Sequence, residues 1–124
     1  MVAIQSDQSQ LQYTLSSGVF EDRMVRLVDL DFDQQIEMMV VIAEPGKGAR
    51  LTIFGIRNNQ IIELATTKSI GKSYRWLNPI GALNADGAGN LEVALVETPH
   101  IGGIVRIFSY SNNADGSKDR KSVV

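Results

Sequence analysis

Four carboxylates stand close together in Asp29-Leu30-Asp31-Phe32-Asp33-Gln34-Gln35-Ile36-Glu37, and the apolar run Met38-Met39-Val40-Val41-Ile42-Ala43 follows directly. Acids at the first, third, fifth and ninth places of one short loop repel each other unless a cation sits among them. An oxygen-only set of this kind suits a hard ion, and Ca2+ is the usual occupant. The spacing therefore marks Asp29, Asp31, Asp33 and Glu37 as candidate ligands. It supplies an ion site and no reaction. A glutamate heading an apolar strand has a second use, as a half-buried acceptor of backbone N–H bonds, and that use needs no ion.

Other constellations carry less. His100 is the single histidine, in Glu97-Thr98-Pro99-His100-Ile101-Gly102-Gly103, and no Ser or Cys nucleophile with a third partner can be placed beside it. Gly71-Lys72-Ser73 matches the end of a phosphate-binding loop, yet Thr66 stands where that loop requires glycine, and Pro79 blocks the helix that should follow. Pro45-Gly46-Lys47-Gly48 reads as a hairpin turn. In Arg75-Trp76-Leu77-Asn78-Pro79, Trp76 could stack on a sugar or cation while Arg75 and Asn78 donate hydrogen bonds. The packing alternative, a Trp76 wedge between sheets, is favoured because large aromatics chiefly fill space. Paired carboxylates across a cleft would suggest a glycosidase, but the acids here gather in loops.

Bulk composition narrows the field further. A chain of 124 residues makes one domain with a core, and 44% hydrophobic with 21% charged residues is ordinary for a globular protein. A net charge of −2 with no basic stretch argues against a nucleic-acid partner. Absence of cysteine excludes disulfides, thiolate zinc sites and thiol catalysis. Residues 1–10 show neither the basic nor the apolar region of a signal peptide. No apolar run approaches the ~20 residues a membrane helix needs, so no membrane span is expected.

The elements around the acidic loop recur. Asn84-Ala85-Asp86-Gly87-Ala88-Gly89-Asn90-Leu91-Glu92 aligns on it at an offset of 55 residues, matching Asp31 with Asp86 and Glu37 with Glu92. At an offset of 54, Pro45 then pairs with Pro99, Gly48 with Gly102, Ile53-Phe54 with Ile107-Phe108, and Asn58-Asn59 with Asn112-Asn113. In the first copy, strands are expected at 24–28, 36–43, 50–56 and 61–67, with a hairpin at Asn58-Asn59, which tolerate positive φ. The second copy offers strands at 79–83, 91–96 and 104–110, and its last strand is irregular. No stretch has sustained helical spacing, so the expected fold class is all-β: two four-stranded antiparallel, blade-like repeats. The divisions are 1–18 (a segment with an edge strand), 19–73 (first repeat) and 74–124 (second repeat).

The pattern D-x-D-x-D-x-x-x-E ahead of an apolar strand resembles the FG-GAP/VCBS repeats of integrin alpha-subunit-like β-propellers, over residues 19–110. Segments 75–81 and 97–103 look like bacterial VCBS-repeat proteins of unassigned function. The resemblance implies that the first loop holds Ca2+ through Asp29, Asp31, Asp33 and Glu37 with the Gln35 carbonyl. Its weaker copy would use Asn84, Asp86, Asn90 and Glu92. Phe32 and Gln34 stand where the family carries glycine, and side chains resist positive φ. The second loop keeps Gly87 and Gly89 but has Ala88 in place of the middle acid.

The resulting expectation is a non-enzymatic Ca2+-binding repeat module with a structural or binding role, a piece of a propeller. Open sheet edges would favour self-association or neighbouring blades. The alternative is a carbohydrate- or protein-binding module using residues 75–78, with a propeller hydrolase ranked third. Family likeness points to an extracellular or periplasmic setting.

Overall fold

A computed structural model describes residues 1–5, 7–71, 77–84, 91–97 and 103–110. All regular structure among them is strand: β1 (Val2–Ile4), β2 (Gln10–Gln12), β3 (Val19–Phe20), β4 (Arg26–Val28), β5 (Glu37–Glu44), β6 (Gly48–Arg57), β7 (Gln60–Thr66), β8 (Leu77–Leu83), β9 (Glu92–Glu97) and β10 (Ile104–Ser109). They form three antiparallel sheets, so the all-β expectation holds.

The central sheet runs β3-β5-β6-β7, with β4 also paired to β5. It has five strands where four were expected, because β3 and β4 share one edge of β5: Val19 and Phe20 pair with Ala43 and Ile42, and Arg26–Val28 with Met39, Met38 and Glu37. Asp22 bridges the gap between them, its Oδ2 accepting the Val41 N–H at 3.0 Å and an Arg26 donor at 3.2 Å. The second sheet, β10-β9-β8, has three strands among the described residues rather than four. The irregular last strand expected of that repeat falls in 111–124, outside the described residues. Within residues 1–18, β1 and β2 pair with each other as a separate ribbon instead of adding an edge strand to a larger sheet.

Local chemistry explains the turns. Asn58 and Asn59 take φ of 50° and 61°, the two-residue hairpin geometry that joins Arg57 to its partner Gln60. Gly46 and Gly48, at φ of 78° and 83°, close the β5–β6 connection. The unbroken apolar run of β5 arises because both faces of that strand are covered. Met39 and Val41 join Leu51, Ile53, Val93, Leu95 and Tyr110 in one core against the second sheet. Met38, Val40 and Ile42 join Phe54 and Ile61 in another, on which Met1, Ala3, Leu11 and Tyr13 of the ribbon region pack. The central sheet is thus sandwiched. Val28 faces Glu37 in the central sheet, and Leu83 faces Glu92 in the second.

Candidate metal centre

The acidic loop joins β4 to β5 and is built by its own carboxylates. Asp29 accepts the Asp33 N–H through Oδ1 at 3.1 Å and the Gln34 N–H through Oδ2 at 2.9 Å. Asp31 Oδ1 takes the Asp33 N–H at 3.3 Å, and Asp33 Oδ1 takes the Gln35 N–H at 2.8 Å. Short acidic side chains bonding to backbone a few residues on are the usual way to tighten a turn. Phe32 and Gln34 adopt φ of 59° and 69°. The loop therefore keeps a left-handed conformation at the two places where side chains resist it.

One carboxylate oxygen each from Asp29, Asp31 and Glu37 lies within 4.8 Å of the others. Calcium bound at about 2.3–2.6 Å from each ligand allows ligand oxygens up to roughly 5 Å apart, so the grouping fits that ion. Asp33 is not in this grouping. Its Oδ2 lies 4.0 Å from Arg57 Nη2 instead. Gln35 sits in the loop with its N–H committed to Asp33.

Glu37 is the buried member, 0% exposed, and its two oxygens differ. Oε2 accepts the Leu30 N–H at 2.8 Å, which is the backbone-acceptor use that the strand position suggested. Oε1 is buried with no hydrogen bond, and Arg57 Nη2 lies 3.8 Å from it. Burial pushes the Glu37 carboxyl above its ordinary value near 4.5, opposed by the Leu30 bond and reinforced by the charges of Asp31, Asp33 and Asp29. Asp31 is raised by burial and then by the charge of Asp33. The hydroxyl of Tyr110, one residue past β10, is buried without a hydrogen bond. Burial pushes its pKa well above the ordinary phenol value, followed by the charges of Glu37 and Asp31, so the hydroxyl stays protonated. Three polar atoms thus lie buried without hydrogen bonds around one acid cluster: Glu37 Oε1, Arg57 Nη2 and Tyr110 Oη. Such groups ordinarily have partners.

Asn84 is exposed just after β8, Glu92 is buried at the head of β9 as Glu37 is at the head of β5, and Asp86 and Asn90 lie outside the described residues. Of the aromatic segment, Asn78 is an exposed residue of β8 opposite Val96, while Arg75 and Trp76 are outside the described residues, as is His100.

Arg57 and Tyr110 were not legible as site residues. The β5–β6 pairing matches Met38 with Phe54, which sets Arg57 toward the Glu37 end of β5. Tyr110 arrives from the second sheet, just after β10. The Asn58-Asn59 turn was the one local signal that bears on Arg57. No family model, curated protein or solved structure matches this chain.

Proposed function

We propose that the chain is a non-enzymatic, Ca2+-binding repeat module with a structural or binding role, composed of two propeller-blade-like units. The observation that carries this reading is the convergence of Asp29, Asp31 and Glu37 oxygens within 4.8 Å, on a loop held in a left-handed turn by residues that disfavour it. Three carboxylates at that separation repel one another, and a bound divalent cation turns the repulsion into ligation. Backbone strain that persists in a fold is a pointer to a site that needs the shape.

Support for the blade-like reading comes from the repeat. Val93 and Leu95 lie 55 residues beyond Met38 and Val40 and pack toward the central sheet, just as Met38 and Val40 pack toward the ribbon region. Successive units thus stack in the same sense. Calcium in the first loop would fix the β4–β5 connection and, through binding to the folded state alone, raise stability with concentration. Thermal melts in calcium and in EDTA, with calorimetric titration of calcium alone, test the reading. A higher melting temperature in calcium is expected; equal melting temperatures with no heat of binding would overturn it.

A further inference from the structure

Resting on the calcium reading of the loop, we propose that Arg57 is a tethered counter-cation of the acid cluster, holding the place of positive charge that a bound divalent ion takes over. Arg57 Nη2 lies 3.8 Å from Glu37 Oε1 and 4.0 Å from Asp33 Oδ2. Both separations exceed hydrogen-bond length, and Nη2 is itself buried without a hydrogen bond. A bidentate Arg–carboxylate bridge would close at about 2.7–2.9 Å. This contact is an open one, in which charge is neutralised without the short bonds that would lock it.

The rest of the side chain is anchored. Arg57 Nη1 donates to the Ile56 carbonyl at 3.0 Å. Gly55 leaves the space beside it free: a Cβ there would come within 3.1 Å of Arg57 Nη1 and 2.6 Å of Leu64 Cδ1. The guanidinium is thus kept at the cluster by its own strand, with Nη2 turned to the acids.

Charge decides the consequence. A guanidinium brings one positive charge to Asp29, Asp31, Asp33 and Glu37, and a divalent ion brings two at shorter range. A monovalent ion only duplicates what Arg57 already supplies. Arg57 therefore stabilises the empty loop, weakens ion binding by competition, and favours divalent over monovalent occupants. It also draws Asp33 aside, so ion entry frees Asp33 to turn toward the three-carboxylate grouping.

The test is Arg57→Met, which keeps the apolar stem and removes the charge. Calorimetric titration with calcium alone is expected to show binding tightened by about three- to tenfold. Equal or weaker binding than in the parent overturns the competition. A second arm in EDTA needs no metal: the stability lost by Arg57→Met is expected to shrink in a Glu37→Gln background. An equal loss in both backgrounds overturns the counter-cation role. If Arg57→Met does not fold, Arg57→Lys and Arg57→Gln replace it; lysine must keep the parent's calcium affinity and glutamine must tighten it, and identical affinities overturn the proposal. No calcium binding by parent and variant alike, with coupling to Glu37 still present in EDTA, overturns the displacement and the calcium reading while the pairing stands.

Discussion

Glu37 Oε2 accepts the main-chain N–H of Leu30 at 2.8 Å, pinning the head of β5 to the second residue of the acidic loop. Leu30 is fully buried in the core shared with the second sheet, and its carbonyl accepts the Leu91 N–H at 3.0 Å. One peptide segment therefore ties the loop to both sheets. Whatever sits in the loop acts on the joint between sheets.

Replacing Glu37 separates its two uses. Glu37→Gln retains an acceptor for Leu30 and removes the buried charge, so stability in EDTA is expected to hold or rise while the response to calcium is lost. Glu37→Ala leaves the Leu30 N–H unpaired and is expected to cost about 1–3 kcal/mol in EDTA. Urea unfolding of both variants checks this, and equal destabilisation by the two would contradict it.

Strain in the loop is open to relief. A side chain in the left-handed region costs roughly 1–2 kcal/mol, whereas glycine loses about 0.5–1 kcal/mol of chain entropy. Phe32 is 58% exposed, so its ring gives up little packing. Phe32→Gly is expected to gain about 0.5 kcal/mol, Gln34→Gly a similar amount, and Phe32→Ala nothing, because alanine keeps its Cβ. Chemical denaturation of the three variants decides the matter.

Acid should stabilise the metal-free protein. The folded-state values of Glu37 and Asp31 lie above their ordinary values near 4.5 and 3.8. The native state therefore holds more protons than the unfolded chain in that window. That contribution is complete below the unfolded values and is lost as pH rises through the folded ones. In EDTA the urea midpoint is expected to be higher at pH 5 than at pH 7, with a flatter dependence in Glu37→Gln. A midpoint that climbs with pH in both proteins would refute the assignment.

Tyr110→Phe deletes a buried hydroxyl without a hydrogen bond. Removing such an orphan without changing shape is expected to stabilise the protein in EDTA by about 1 kcal/mol. A loss of similar size would show that the hydroxyl has a partner.

Phe54 sits at 0% exposure, with its ring centroid 4.7 Å from that of Tyr13 and 6.4 Å from that of Phe20. Phe54→Ala is expected to cost about 3–5 kcal/mol and to loosen the β1–β2 ribbon and Tyr13 from the central sheet. Faster amide exchange at Leu11 and Tyr13 than in the interior of β9 would register that loosening.

Much of the scaffold was legible because strands and turns are written locally. The Asn58-Asn59 hairpin, the Gly46 and Gly48 turn and the doubly covered β5 all follow from residue type and period. The two acidic strand heads are paired alike, Val28 with Glu37 and Leu83 with Glu92. The sharing of β5 by β3 and β4 was not legible, since it depends on Asp22 reaching Val41 across the intervening strand break. In the acidic loop, spacing marks Asp29, Asp31, Asp33 and Glu37 alike, and only the structure separates Asp33, which lies beside Arg57, from the three whose oxygens gather.

The chain by itself determined an all-β fold with an acidic loop ahead of its most apolar strand, because periodicity, turn residues and charge density act over a few residues. Only the tertiary structure decided that Glu37 is wholly buried, that Asp33 leans to Arg57, and that the Tyr110 hydroxyl is buried without a partner. Positions 37, 57 and 110 meet through strand register and sheet stacking. Those are set by the burial of whole faces, which no short stretch of sequence encodes.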